Sequence, residues 1–447
     1  QLDMRILGLR ELNDILGEVS TSGFSPSAVK AVPEMVRWLE EKQVIDVLFD
    51  IKTVHPEIEK RAAPILQFLA QNNALTNRQL ELVWKCATKP GIGDALQGAT
   101  YDLLVSLLPT LSGKVWQHLD SLFPSLDLAS LTSTASSSEL FHAFLVNFLK
   151  SAASSSRFVV AQPAAESSTT CCPFVPPCCL TFVWCVLNRE CRGKSVAPEV
   201  LNVLNAFCDA ILSEPTSRNA CVFSDQVCEH FLCLALDGVV EGSNCSPFLM
   251  FLAQFFYSAH KIVSKYGQVQ AFIAQCLKFV QDKGMIDILL ATIKRAVGST
   301  EEETVVGYCF DVLKNLLLVI LPSFDGFDAL VKQLWNLLAT NLPLRKQLFE
   351  FLAPLLCGDT LPSIRDTELF VVTEALPWLD VAAFGQCEWT FFEALFCDIN
   401  QRDGHLSKSW ELVDPHAIEL VGMNTFWRIV LEVCDEEVAS LARQRLL

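Results

Sequence analysis

The sequence has little positive charge and no long hydrophobic run. Lys and Arg total 34 against 51 Asp and Glu, which gives a formal net charge of −17. This acidic balance argues against nucleic acid and anionic membrane surfaces as the main partners. The longest nearly uncharged apolar runs are Pro176–Leu187 and Pro247–Ala259. Both fall short of the roughly 18–20 residues that a membrane helix needs, so we expect a soluble protein without a membrane span.

The N-terminus lacks both an initiating Met and a basic region followed by an apolar stretch. We therefore expect a fragment of a longer protein, with no signal peptide. Cysteine is too scarce for a disulfide scaffold, with 18 in 447 residues, and most of it lies in apolar, helix-like segments. Buried free thiols fit a reducing compartment. We expect a cytoplasmic location, with the nucleus as a second compartment.

Tyrosine is also scarce, with 4 residues against 30 Phe. Hydrophobic residues make up 51% of the chain and charged residues 19%, which is too apolar for disorder and requires a large buried core. The length of 447 residues allows two to four domains or one elongated array. Composition by itself does not indicate a chemistry.

Apolar residues repeat with a helical period. Ala28, Val32, Met35 and Leu39 fall at i, i+4, i+7 and i+11, which is one stripe of a helix. Stop signals containing Gly or Pro recur about every 15–20 residues, which predicts about ten helical pairs of roughly 40–47 residues each. The predicted fold is all-α, a HEAT/armadillo-like α-solenoid of degenerate helical-hairpin repeats.

Helix start signals agree with this prediction. Thr76 with Gln79 and Thr300 with Glu303 have the spacing of capping boxes, in which two side chains satisfy backbone N–H groups at a helix start. Pro64 lies inside an otherwise helical pattern, so it should kink that helix or shift its start.

One stretch breaks the helical pattern. Residues 151–170 are rich in Ser and Ala with little periodicity, which predicts a flexible loop or linker at 151–174. This linker would separate an N-terminal helical-repeat half, 1–150, from a C-terminal half, 175–447. A continuous solenoid with a surface insertion is equally compatible with the sequence.

Two cysteine groups are candidates for metal or nucleophile chemistry. The first group is Cys171, Cys172, Cys178, Cys179, Cys185 and Cys191. Its spacing does not match the paired ligands of zinc sites, so buried or loop thiols are the favoured interpretation. The second group is Cys221, Cys228, His230 and Cys233. These residues do not share a helical face well, so an ordinary packed helix is favoured over a metal site or a Cys–His pair.

Other motifs are absent or weak. No P-loop, His-Glu-x-x-His, Gly-x-Ser-x-Gly or kinase motif occurs, and Gly91, Gly93 and Gly98 are better explained by a turn than by a dinucleotide site. We expect no catalytic, cofactor-binding or metal-ligating residues. The acidic runs Glu301–Glu303 and Asp435–Glu437 could meet a basic partner, although charge at helix N-termini explains them more simply.

Several segments share their motifs with one protein family. They are Met4–Asn13, Ile65–Ala70 with Leu75, Thr76 and Leu80–Ala87, then Leu334–Leu338 with Arg345 and Phe349–Leu352, and finally Gly422–Ile429 with Asp435, Val438 and Ala439. These segments resemble the very large ubiquitin-specific proteases of the fat-facets type. They follow the family's order from residue 4 to 439, whereas residues 110–300 match poorly.

The resemblance implies a non-catalytic helical solenoid that belongs to a cysteine-type deubiquitinase. The family's catalytic Cys and His boxes have no match in this chain, so the chain is expected to be inactive alone. The residues that match the family are helix-packing anchors, and we expect them to be buried. We expect the same of Trp389, which is not among the matching residues. The anchors are Phe68, Leu69, Trp84, Trp335, Phe349, Phe351, Phe426 and Trp427.

Three functions are therefore open. The first is a scaffold that binds ubiquitinated substrates or regulators of the parent protease, a role that suits the exposed grooves of a solenoid. The second is a freestanding HEAT/armadillo adaptor or transport protein unrelated to ubiquitin. The third is an enzyme or metalloprotein that uses the cysteine groups.

Overall fold

The computed structural model describes all residues except 1, 22–25, 51–54, 90–91, 133, 156, 159–174, 192–195, 213–225, 243, 267–269, 358–363, 408–419 and 447. Within the described residues the secondary structure is helical and no β-strand is present. The contacts cluster into two compact units, Gln1–Phe231 and Leu232–Leu447. The all-α prediction is confirmed.

In the described part of the first unit there are eleven α-helices and part of a twelfth. They are α1 (Leu2–Thr21), α2 (Pro26–Glu41), α3 (Val44–Leu48), α4 (Pro56–Gln71), α5 (Asn77–Thr88), α6 (Asp94–Leu107), α7 (Gly113–Leu122), α8 (Leu128–Leu131), α9 (Ala135–Ser154), α10 (Cys178–Glu190), α11 (Pro198–Ile211) and the first residues of α12 (Gln226–Glu241).

The residues described in the second unit form the rest of α12 and ten further α-helices. They are α13 (Ser246–Tyr266), α14 (Gln270–Asp282), α15 (Met285–Ala296), α16 (Glu302–Ile320), α17 (Phe327–Leu338), α18 (Leu342–Leu356), α19 (Arg365–Leu369), α20 (Gln386–Arg402), α21 (Met423–Glu432) and α22 (Glu436–Leu446). A π-helical turn at Phe370–Ala375 and short 3₁₀ turns at Leu376–Trp378 and Val381–Ala383 lie between α19 and α20.

Helices in each unit pack mainly against helices that are close to them in sequence. In the first unit, α1, α4, α6, α9 and α11 contact one another in that order, and α3, α5, α7 and α10 form a second row beside them. In the second unit, α13, α16, α18, α20 and α22 make one such row. Two rows built from successive helix pairs are the architecture of an α-solenoid, as predicted.

Phenylalanine rings join successive helices in the core. In the first unit, the ring of Phe123 lies 5.1 Å from Trp84, 4.8 Å from Phe148 and 5.7 Å from Phe182, which connects α5, α9 and α10. In the second unit, the ring of Phe349 on α18 lies 4.7 Å from that of Phe391 on α20. Phe suits these positions because it has no hydroxyl group that needs a hydrogen-bond partner.

The helix start signals had different outcomes. Thr76 and Gln79 form the predicted capping box at the start of α5. Thr300 and Glu303 do not form one, because α16 begins at Glu302 after Glu301, and the acidic residues sit in the first turn instead. Pro64 does not shift the start of α4, which runs from Pro56 to Gln71 with Pro64 inside it, and the predicted kink stays a prediction.

The sequence segment at 151–174 is only partly described. Residues 151–154 continue α9, and residues 159–174 lie outside the described residues. Helix α9, which precedes this segment, packs against α11, the second helix after it, within the first unit. The predicted bounds 1–150 and 175–447, and the alternative of a continuous solenoid with a surface insertion, stay predictions.

Seven of the eight anchor residues are buried, as is Trp389. Trp427 is not, because 47% of its surface is exposed, so its prediction as a buried anchor is wrong. The buried stripe of α21 runs through Phe426, Ile429 and Val430, and Trp427 lies about 100° further around the helix. Phe426 takes the core position, 5.8 Å from the ring of Trp389.

The two tryptophans should respond very differently to truncation. Trp84→Ala should lower the free energy of unfolding by roughly 3–5 kcal/mol, because it empties a packed aromatic site. Trp427→Ala should lower it by less than about 1 kcal/mol, because its ring is half exposed. Urea unfolding of both variants measures the difference, and equal losses would contradict the structure.

Candidate functional site

The buried thiols are in an environment that disfavours the thiolate. Burial raises the pKa of Cys179 and Cys208 well above the ordinary value, and it raises the pKa of Cys86 and Cys191 to about 11. Burial, with the nearby acids Asp398 and Glu368, raises the pKa of Cys357 to about 12. A catalytic thiol needs the opposite shift. These thiols therefore act as apolar packing groups.

The first cysteine group is split by the structure. Cys178 and Cys179 begin α10, where their N–H groups donate to the carboxylate of Asp120 at 2.8 and 2.9 Å, and Cys171 and Cys172 lie outside the described residues. The carboxylate of Asp120 on α7 thus caps the N-terminus of α10, a role that its position in the sequence did not indicate.

The second group forms no site in the part of the chain that the structure describes. Cys228 is buried and donates to the carbonyl oxygen of Ile211 at 2.8 Å, while Cys221 lies outside that part. No cluster of three or more His, Cys, Asp or Glu side chains suited to a metal ion occurs among the described residues. The sequence predicted a turn at Gly91, Gly93 and Gly98. Gly93 precedes α6 and Gly98 lies within it, as expected for a turn that leads into a helix, and Gly91 lies outside the described residues.

Glu59 is a buried carboxyl group between α4 and α6. Its Oε1 is bonded to the hydroxyl of Thr100, and its Oε2 is buried with no partner among the described residues. The Thr100 hydroxyl has only one proton, and it also lies 2.8 Å from the carbonyl oxygen of Leu96. A protonated Glu59 satisfies both contacts, because it donates to Thr100 while Thr100 donates to Leu96. Burial accordingly raises the pKa of Glu59 to about 7.

Stability should therefore depend on pH through Glu59. The folded protein holds this proton more tightly than the unfolded chain, so the stabilisation is complete below about pH 4.5 and is lost as pH rises towards 7. Glu59→Gln keeps a donor for Thr100 without the charge. At pH 8 it should raise the free energy of unfolding by on the order of 2 to 3 kcal/mol.

Urea unfolding between pH 5 and 8 measures this effect. The exposed carboxylate of Glu41 on α2 provides the control variant, Glu41→Gln. A pH profile that is the same for wild type, Glu41→Gln and Glu59→Gln would show that Glu59 does not titrate in this range.

A polar groove runs between α9 and α11 in the first unit. Its volume is about 470 Å³, and we call it the α9/α11 groove. Its lining residues are Glu139, His142, Ala143, Val146, Asn147, Lys150, Glu199, Asn202, Asn205, Ala206 and Asp209. They repeat every three or four positions along each helix, which places them on the facing sides of the two helices.

Three amide side chains in the groove are available to a ligand. The side chains of Asn147, Asn202 and Asn205 are exposed and make no hydrogen bond with any other described residue. An amide side chain offers both a donor and an acceptor, which is the pattern of a peptide backbone. A row of such amides can therefore bind an extended segment of another protein.

The charge of the groove is mainly negative. Glu139, Glu199 and Asp209 line it against one cation, Lys150. Among the lining residues, the buried His142 has its Nε2 2.7 Å from Oε2 of Glu190, and this contact joins α9 to α10. The electrostatic potential of this surface favours basic segments over acidic ones.

Sequence reasoning did not identify this groove. Asn202 and Asn205 are three residues apart on α11, a spacing that places them on one face of a helix, but nothing in the sequence shows that this face lies opposite Asn147 on α9.

Among the helices of the described residues, none is both long and apolar enough to cross a bilayer.

Parts of the chain are similar to ubiquitin carboxyl-terminal hydrolases. The chain is 26% identical over 129 residues to ubiquitin carboxyl-terminal hydrolase puf of Drosophila melanogaster, which covers 28% of this chain and 3% of that protein. It is 27% identical over 119 residues to ubiquitin carboxyl-terminal hydrolase 9Y of Mus musculus, covering 26% of this chain and 5% of that protein. The chain thus matches a small fraction of each relative's length.

No protein-family model matches the sequence. Among solved structures, the karyopherin Kap121p bound to the extreme C-terminus of the protein phosphatase Cdc14p is similar with a TM-score of 0.37 and 12% identity, over 91% of this chain and 43% of that one. The identification of the fold rests on the helix packing described above. A region of this chain is related in sequence to ubiquitin carboxyl-terminal hydrolases.

Proposed function

We propose that this chain is a protein-binding helical-repeat region of a large cysteine-type deubiquitinase, and that it binds substrates or regulators without cutting ubiquitin itself. The observation that carries the binding role is the row of free amides in the α9/α11 groove. The partial similarity to ubiquitin carboxyl-terminal hydrolases supports the parent protein. A cytoplasmic location, with the nucleus as a second compartment, belongs to the same proposal.

The chemistry of the described residues fits a binding role better than catalysis. Buried thiols with raised pKa values are poor nucleophiles, whereas unpaired amides on a rigid helix pair are ready to bind a peptide backbone. The ordered row of helices supports a surface of this kind, because each helix is fixed by its neighbours and the exposed faces remain accessible.

Binding in the groove can be tested with a peptide library. Random dodecapeptides displayed on phage are selected on the full chain, and enriched peptides are resynthesised for affinity measurement. Asn202→Ala/Asn205→Ala should weaken binding about tenfold, since it removes hydrogen bonds worth about 0.5–1.5 kcal/mol each. The control is Asn336→Ala, an exposed amide on α17 in the other unit. If the groove variant and the control bind equally, the groove is not the site.

The parent assignment has its own test. Sequencing the transcript that encodes this chain should show a thiol-protease domain in the same reading frame, with a Cys box and a separate His box. A complete reading frame without such a domain would favour a freestanding adaptor or transport protein, which the α9/α11 groove suits equally well. The proposal of binding in the groove and the assignment of the parent protein can thus be contradicted independently.

A further inference from the structure

One surface of the second unit exposes large apolar side chains. Trp378 is 89% exposed, Leu431 is 77% exposed and Trp427 is 47% exposed. Trp427 and Leu431 are four residues apart on α21, so they lie on the same side of that helix. Neither tryptophan ring makes a ring contact or a hydrogen bond with another described residue.

Arg428 brings Trp378 next to this side of α21. Its Nη1 donates to the carbonyl oxygen of Pro377 at 2.5 Å, and its Nη2 lies 3.5 Å from that of Leu379, so the guanidinium contacts the backbone on both sides of Trp378. Glu432 also pairs with Arg428 at 3.1 Å, which holds the guanidinium in place. The backbone at Trp378 therefore lies beside α21, and we call the three exposed side chains Trp378, Trp427 and Leu431 the tryptophan surface.

The helix that carries this surface is firmly fixed. Gly422 begins α21 with a φ of +86°, and a Cβ added there would lie 2.4 Å from Cγ1 of Val372 in the π-helical turn. On the core side, the ring of Phe426 packs against those of Trp389 and Phe396 at 5.8 and 5.3 Å. A partner thus meets a rigid surface and little ordering entropy opposes binding.

The charges beside the tryptophan surface are acidic. Cys434, which follows α21, donates its N–H to the carbonyl oxygen of Ala382 at 3.2 Å, and this contact places the start of α22 beside the turn that follows Trp378. That region exposes Asp380, Glu436 and Glu437, none of which has an ion-pair partner among the described residues. The nearby cation, Arg428, is already engaged.

We propose that the tryptophan surface binds a short segment of a partner protein in which bulky apolar side chains alternate with Lys or Arg. The apolar side chains would pack on Trp378, Trp427 and Leu431, and the basic side chains would pair with Asp380, Glu436 and Glu437. Trp is one of the residue types that dominate binding energy at protein interfaces. This proposal is independent of the α9/α11 groove and of the deubiquitinase parent.

A defined peptide probe tests the proposal on the full chain. The probe is a fluorescein-labelled dodecapeptide in which Phe and Leu alternate with Lys and Arg, and binding is followed by fluorescence anisotropy. Trp378→Ala/Trp427→Ala should weaken binding at least tenfold. Glu436→Lys/Glu437→Lys should weaken it severalfold and reduce its salt dependence. A peptide with Glu in place of Lys and Arg should not bind.

Matched variants elsewhere on the chain control for non-specific attraction. Trp38 on α2 is 43% exposed, and Glu40 and Glu41 are exposed acids on the same helix. Trp38→Ala, Glu40→Lys/Glu41→Lys and the groove variant Asn202→Ala/Asn205→Ala should all keep wild-type affinity for the probe. Circular dichroism and urea unfolding show that each variant is folded.

Four outcomes would overturn the proposal. The probe could fail to bind, or it could bind the tryptophan variant as tightly as wild type. Sedimentation could show a dimer that Trp378→Ala/Trp427→Ala dissociates, which would identify a second copy of this chain as the occupant. Flotation with phosphatidylcholine vesicles could show binding that the same variant abolishes, which would identify a lipid surface instead.

Discussion

The structure depends on the burial of one apolar stripe of each helix against the helices that precede and follow it. An amphipathic helix as short as those of this chain is not stable in isolation, because its hydrophobic stripe would remain in water. Stacking removes each stripe from water in turn, as in the row α1, α4, α6, α9 and α11. The shared aromatic packing of Phe123 with Trp84, Phe148 and Phe182 shows how closely these stripes interlock.

This mode of stabilisation also determines what the exposed faces can do. Because neighbouring helices fix each helix on its inner side, the backbone positions that carry the outer side chains are fixed as well. The free amides of the α9/α11 groove and the exposed rings of the tryptophan surface are two such sets, and both lie near an excess of acidic groups. The charges at both places therefore favour a basic partner over an acidic one.

The polar groups inside the units serve the packing. Arg345 on α18 donates from Nε to Oε1 of the buried Glu388 on α20 at 3.2 Å and from Nη2 to the carbonyl oxygen of Ala383 at 3.1 Å. Asp120 closes the start of α10, and Glu59 bonds Thr100 across α4 and α6. Each contact joins helices that are neighbours in the stack, so these groups add register and orientation to the hydrophobic burial.

The amino-acid sequence by itself determined the helical class, the repeat scale and many of the buried anchors, because apolar periodicity is a local property that neighbouring residues settle. It also determined the capping box of Thr76, whose two partners are three residues apart. The tertiary structure decided the rest. Trp427 is exposed and Phe426 buried because the direction of the α21 stripe depends on what Trp389 and Val372 present to it. Asn147 and Asn202 share a groove because α9 and α11 pack together although α10 lies between them in sequence. No local sequence pattern encodes that contact.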